Sequence, residues 1–253
     1  QFQIPLTFLV LAGIERERHG WPVLAGALLA LAASIKLYPA AFALYWLVRR
    51  RWTAVGAFAA FGLLLGLASL FVGGIELHRA FLHTSVGRIG ATLYHHPFNH
   101  SVGTSLAVVL AQLGWTGLDP DPTAVLSSIA KPRVLGWLDG LLLVGFLAAS
   151  LRWAARVDEH AFYRRVWPTV LIGLSLVGPL AWLYYGLAAL FFLPLLGSDP
   201  RMALLTLFPW LLISPFGVVV RSLGGSRAQQ VAGTLAFGIL ALLYAFNRAE
   251  RDP

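Results

Sequence analysis

Residues 21–51 read WPVLAGALLALAASIKLYPAAFALYWLVRRR. One lysine, Lys36, stands near the middle of this otherwise apolar stretch, Pro39 follows three residues later, and Arg49, Arg50 and Arg51 close it. As helices, the arms Trp21–Ile35 and Leu37–Val48 would measure roughly 22 Å and 18 Å, against a hydrocarbon core of about 30 Å. Neither arm crosses a bilayer alone, and together they are too long for one upright crossing. Two structures fit. One is a single kinked, tilted span that carries the arginines to the far side. The other is a broken hairpin that enters and leaves on the same side with Lys36 near its tip. Pro39 disfavours an uninterrupted helix and biases Tyr38 toward an extended backbone.

The rest of the chain places this stretch in a bilayer. Of 253 residues, 58% are hydrophobic and only 12% charged, with a mean hydropathy of +0.74. A soluble domain carries about twice that charged fraction. Uncharged runs recur at Trp52–Ile75, Val166–Ser198, Met202–Val220 and Ala228–Asn247, each near or above the length of a span. The runs are continuous rather than alternating, which excludes a β-barrel and predicts an all-α, polytopic transmembrane helical bundle. The formal charge of +8 follows from the basic bias of cytoplasmic loops, so nucleic acid is not an expected partner. With no cysteine, disulfides, thiol catalysis and Cys-zinc sites are excluded. The chain opens at Gln1 inside an apolar run, and we expect it to be the C-terminal part of a longer protein, forming a single transmembrane domain over 1–253.

Charge decides between the two structures. Leaving Lys36 aside, the hairpin puts twelve lysines and arginines inside and six outside, whereas the single span gives eight and ten. The positive-inside rule therefore favours the broken hairpin. Trp52–Gly73 then crosses outward, Gly74–Arg133 forms a long external segment, and Val134–Leu151 returns to a basic loop. Trp167–Val177 leads out to a Gly178-Pro179 corner and Tyr184–Gly197 leads back, with final spans at about 203–220 and 228–247. Within the external segment, Ile75–Val86 mixes apolar and basic positions as an interfacial helix does. Ser101–Trp115 is half a span long, suited to packing on the bundle.

Four features could carry chemistry. A charge at membrane depth is costly, so Lys36 is a counter-ion for an anionic substrate such as a lipid phosphate, a partner of Asp139, or a snorkelling side chain. Asp139, the only acid inside a span, is a base, that partner, or a helix N-terminal acid. The loop Tyr94–Ser101, YHHPFNHS, concentrates His95, His96 and His100. Pro97 between His96 and His100 argues against a helical zinc pair, which leaves a sugar- or phosphate-binding loop or a solvated one; Asn99–Ser101 also matches a glycosylation sequon. The corner GPLAWLYY places Trp182, Tyr184 and Tyr185 at the external interface, as an aromatic belt or a sugar-stacking surface. Gly62 and Gly66, four apart, read as close helix packing.

Taken in order, the Gln1-Phe2-Gln3 start, AASIKLYP, Arg-Arg-Arg-Trp, Asn99-His100-Ser101 and Gly178-Pro179-Leu180-Ala181-Trp182 resemble glycosyltransferase family 87. These are polyprenol-phosphate-mannose-dependent α-1,2-mannosyltransferases of the GT-C membrane fold. Ile35–Pro39 matches closely. His100 replaces a glutamine of the family pattern, and Tyr184 and Tyr185 stand where members often carry two histidines.

The resemblance implies a donor that is a polyprenyl-phosphate-linked sugar, a glycolipid or glycan acceptor, and a site on the outer face of the cytoplasmic membrane. The catalytic base it implies, an aspartate of the first external loop, lies upstream of Gln1. It also implies that Lys36 steadies the departing lipid phosphate, with Arg88, Arg133 or Arg221 as helpers. Tyr38, Asn99, His100, Ser101, Trp182, Tyr184 and Tyr185 become candidate substrate contacts, and neither a metal nor a cofactor is required. The rival readings are a transporter or flippase of a lipid-linked sugar and a non-catalytic membrane scaffold. No internal repeat of the transporter type is present in the sequence.

Overall fold

Apolar helices account for most of the chain, as the hydropathy requires. The computed structural model describes residues 3–87, 91–95, 99–115, 117, 118, 127–178, 192 and 217–246. Two compact units are present, Gln1–Val86 with Ala149–Glu159, and Gly87–Ala148 with His160–Pro253.

The first unit starts with α1 (Gln3–Arg18) and α2 (Pro22–Ile35). Gly20, at φ 79°, ends α1 in a Schellman turn, with Trp21 N donating to Arg16 O and Gly20 N to Glu17 O. Pro22 opens α2, where its missing N–H costs nothing. The helix stops at Lys36, whose backbone is extended (φ −145°, ψ 139°). Tyr38 was the expected extended residue; it instead opens a 3-10 turn, Tyr38–Phe42, that leads into α3 (Ala43–Val48). The break therefore falls two residues earlier, on the lysine itself.

α4 (Trp52–Phe81) follows and packs along α2. A Cβ on Gly26 would lie 2.5 Å from Ala54 O and 2.6 Å from Phe58 N, so the two backbones touch there. At the other end of α2, Ala33–Leu37 line the same cavity as Leu65, Gly66 and Ser69. α2 and α4 thus run parallel, and residues 37–51 must return between them. The return limb buries Phe42, Tyr45 and Trp46. Arg51 Nε ends 3.1 Å from Glu17 Oε1, so both ends of 21–51 meet at the foot of α2. This is the broken hairpin, with Lys36 at its tip.

The straight part of α4 ends where the charge reading ended its span. Gly74 (φ 70°, ψ 166°) breaks the helix, a conformation that suits glycine. Between them, Trp52 and Gly73 cover about 33 Å of helix. Phe71 and Val72 are 91% and 86% exposed, the surface a lipid-facing helix presents. Beyond Gly74 the chain stays helical to Gly87.

The second unit opens with two strands that no periodicity announced. β1 (Thr92–His95) pairs antiparallel with β2 (Ser127–Ala130), Thr92 opposite Ala130 and His95 opposite Ser127. α5 (Val102–Gln112) packs over this ribbon on a core of Leu93, Ala107, Ala111, Leu118 and Leu135. α6 (Arg133–Ala154) begins in this unit. A π-type turn at Phe162–Val166 leads to α7 (Trp167–Val177), and α8 is Gly217–Phe246. Thr169 Oγ1 donates to Ala241 O, and Arg165 donates twice to Ala245 O at the end of α8. A loop was expected near 221–227 between two final spans, but α8 is helical throughout. An uncharged run marks where polarity changes, and a helix can continue past that point.

Among the described residues, 52–84, 133–154 and 228–246 are long and apolar enough to cross a membrane, while 22–35, 38–48 and 102–112 are apolar but short.

Candidate functional site

Lys36, with its extended backbone, lines a cavity of about 560 Å³ inside the first unit. Three chain segments build the cavity: the end of α2, the middle of α4, and the helix after Gly74. Phe58, Leu65, Leu77 and Phe81 make its walls apolar. Gly62 and Gly66 lie on its α4 side, and a Cβ on either would meet nothing within 4 Å. The reading of these glycines as a close-packing motif is thereby corrected: they leave space open.

Four polar side chains line the cavity: Lys36, Ser34, Ser69 and His78. Ser34 Oγ bonds back to Leu31 O at 2.8 Å. His78 Nδ1 lies 2.7 Å from Gly74 O and Nε2 lies 3.1 Å from Ser69 Oγ. A carbonyl only accepts, so Nδ1 carries the proton, and in the neutral ring Ser69 donates to Nε2. Ser69 and His78 would stand about 13 Å apart along a straight helix. Their contact shows that the chain folds back at Gly74 and brings His78 to the lysine's cavity. Sequence reasoning missed both residues. The available signal was the Gly73-Gly74 pair with a histidine four residues on. Tyr38 is half-buried beside the tip and stacks edge-on against Phe42 at 6.0 Å.

The loop residues Asn99, His100 and Ser101 form a second polar cluster, in the other unit, and they are fully buried, at 0–1% exposure. Ser101 is the N-cap of α5, its Oγ accepting from Thr104 N at 3.4 Å and donating to Thr104 Oγ1 at 2.7 Å. Asn99 Nδ2 donates to Tyr94 O at 2.7 Å, which leaves no accessible amide for a glycan. His100 reaches α8, with Nδ1 3.3 Å from Gln230 O, and its carbonyl accepts from Thr234 Oγ1 at 2.9 Å. The ring fills the space over Gly233, where a Cβ would lie 2.3 Å from it.

Asp139 pairs with Lys131, at 2.6 Å. The side chains are 4% (Lys131) and 17% (Asp139) exposed. The carboxylate sits over Gly103 in the first turn of α5, where a Cβ would come within 2.1 Å of Oδ1. A helix N-terminus favours an anion there. Arg133 is exposed at the start of α6. Arg88, the Arg221 side chain, and the corner residues Trp182, Tyr184 and Tyr185 lie outside the described residues.

Membrane-length apolar helices define an all-α membrane protein, and in its first unit they line an apolar cavity to which Lys36 adds a cation. The chain belongs to glycosyltransferase family 87, whose profile matches residues 1–179. It is similar to the polyprenol-phosphate-mannose-dependent alpha-(1-2)-phosphatidylinositol pentamannoside mannosyltransferase of Mycolicibacterium smegmatis, 31% identical over 197 residues. That match covers 72% of this chain and 44% of the relative, so the chain spans less than half of that protein's length. No solved structure matches.

Proposed function

We propose that this chain is part of a membrane enzyme that transfers mannose, or a related sugar, from a polyprenyl phosphate to a glycolipid or glycan at the outer face of the cytoplasmic membrane. The observation that carries this reading is Lys36 at the hairpin tip, lining a cavity with apolar walls. A polyprenyl phosphate has that same division, an isoprenoid chain joined to a charged head. In the transfer, an acceptor hydroxyl oxygen attacks the anomeric carbon and the bond from that carbon to the phosphate oxygen breaks. The electron pair stays on the phosphate, which goes from one negative charge toward two. The acceptor's proton passes to a base, for which family resemblance points to an aspartate upstream of Gln1. Lys36 offsets the charge growing on the phosphate, where a fixed cation in an apolar site acts more strongly than in water. His78 and Ser69, bonded to each other, add polar surface to the same cavity.

The test is transfer of labelled mannose from polyprenyl phosphate in membranes carrying the full-length protein. Lys36→Met should raise the donor KM or abolish turnover while the protein still inserts, and unchanged kinetics would return Lys36 to a structural role. Sidedness is tested separately. The chain contains no cysteine, so once any cysteine elsewhere in the full-length protein is replaced, a single one placed at Arg50 reports only on that position. Labelling from the cytoplasm alone agrees with a site on the outer face; labelling from outside removes it.

A further inference from the structure

The foot of the hairpin carries a second site, independent of the donor reading. Val48, Arg49, Arg50, Arg51, Ala155 and Glu159 line a groove of about 570 Å³. Two of its arginines are held rigidly. Arg49 donates to Val157 O at 2.6 Å and to Glu159 Oε2 at 2.6 Å, and its side chain is 15% exposed. Arg51 bridges Glu159 and Glu17. Two carboxylates thus balance two guanidiniums, and the remaining charge in the groove is that of Arg50, whose side chain is exposed.

The backbone of Arg50 is the second observation. α3 ends in a Schellman turn, with Arg51 N donating to Trp46 O and Arg50 N to Leu47 O, which puts Arg50 at the left-handed position with φ 57°. The same position is Gly20 after α1 and Gly114 after α5. Among the described residues Arg50 is the only non-glycine with positive φ. An arginine here bears a conformational cost that glycine avoids, and in return a cation projects beside a groove whose other charges are paired. Its near neighbours in sequence Leu47, Val48 and Trp52 are exposed, the apolar and aromatic setting of a membrane interface.

We propose that this groove binds the phosphodiester headgroup of an anionic phospholipid, with Arg50 as its principal contact. The guanidinium fork suits two phosphate oxygens, and basic pockets between membrane helices recognise acidic headgroups in this way. The test uses the full-length protein in nanodiscs of phosphatidylcholine with graded phosphatidylglycerol, reading lipid retention by native mass spectrometry together with Tm. Arg50→Gly should bind phosphatidylglycerol about fivefold more weakly, the share of one basic residue at a membrane surface. In pure phosphatidylcholine its Tm should equal or exceed that of the parent, because glycine relaxes the turn. Should Arg50→Gly fail to accumulate, Arg50→Asn, which tolerates the same backbone, carries the measurement. Parental retention by either variant, or a lower Tm in phosphatidylcholine, overturns the site. So does an equal rise in Tm with inorganic phosphate, which would assign the groove to a free anion.

Discussion

Lys36 and His100 are both polar side chains set among apolar helices, one in each unit, and their surroundings are built in opposite ways. His100 is enclosed. The ring lies on Gly233, the Asn99 and Ser101 side chains bond to neighbouring backbone and to Thr104, and all three residues are shielded from solvent. Around Lys36 the glycines do the reverse, since Gly62 and Gly66 face empty space. A polar group in an apolar protein needs partners wherever it sits. What separates a structural cluster from a candidate binding site is whether those partners close the space or leave it open.

This contrast can be broken by substitution. The largest expected effect lies in the closed unit. Lys131→Met strands Asp139 and should cost about 3–5 kcal/mol of stability, as breaking a buried pair does. The Lys131→Met, Asp139→Leu double variant should recover part of it. Denaturation in detergent reads both, and a double variant no more stable than the single would show that the pair is not the cause. Next comes Lys36→Met in the open cluster, with a loss of about 100-fold in kcat/KM, the scale of removing one charge-stabilising donor, and little change in Tm. Gly66→Leu sharpens the comparison by filling the cavity without touching the lysine. It should slow transfer about tenfold by displacing donor and leave Tm at or above the parental value; a large fall in Tm would mean that the space is not open. The smallest effect is Ser101→Ala, which removes an N-cap worth about 1 kcal/mol and should lower Tm while specific activity of the folded protein stays constant.

Much of the fold was legible because membrane helices are written in two plain signals, apolar length and loop charge. The count of lysines and arginines chose the hairpin, and the Arg51–Glu17 ion pair shows its two ends together. Gly74 ended the span where the helix breaks. The site was less legible. Asn99, His100 and Ser101 read as a binding loop or a solvated one, and nothing local reveals that Gln230 and Thr234, about 130 residues away, bond to His100 and bury it. Lys36 stood among the partners open to Asp139 because Asp139 is the only acid inside an expected span. Lys131 was counted with the external loop, although Pro132 and the first turn of α6 carry its side chain back along the helix to Asp139. The two strands were invisible because four residues each are too few for a period to stand out, even though burial alternates along β1.

The Lys131–Asp139 pair also bears on how the chain is made. A lone carboxylate within a helix opposes its transfer from the translocon into lipid, most of all at the helix centre. Lys131 lies eight residues earlier in the chain, so it leaves the ribosome first and is already at hand when Asp139 emerges. The segment can therefore partition as a locally neutral unit, before α7 and α8 have been synthesised. The seat for the carboxylate, Gly103, lies earlier still in the chain, so α6 enters the bilayer with every group that its charge requires already translated.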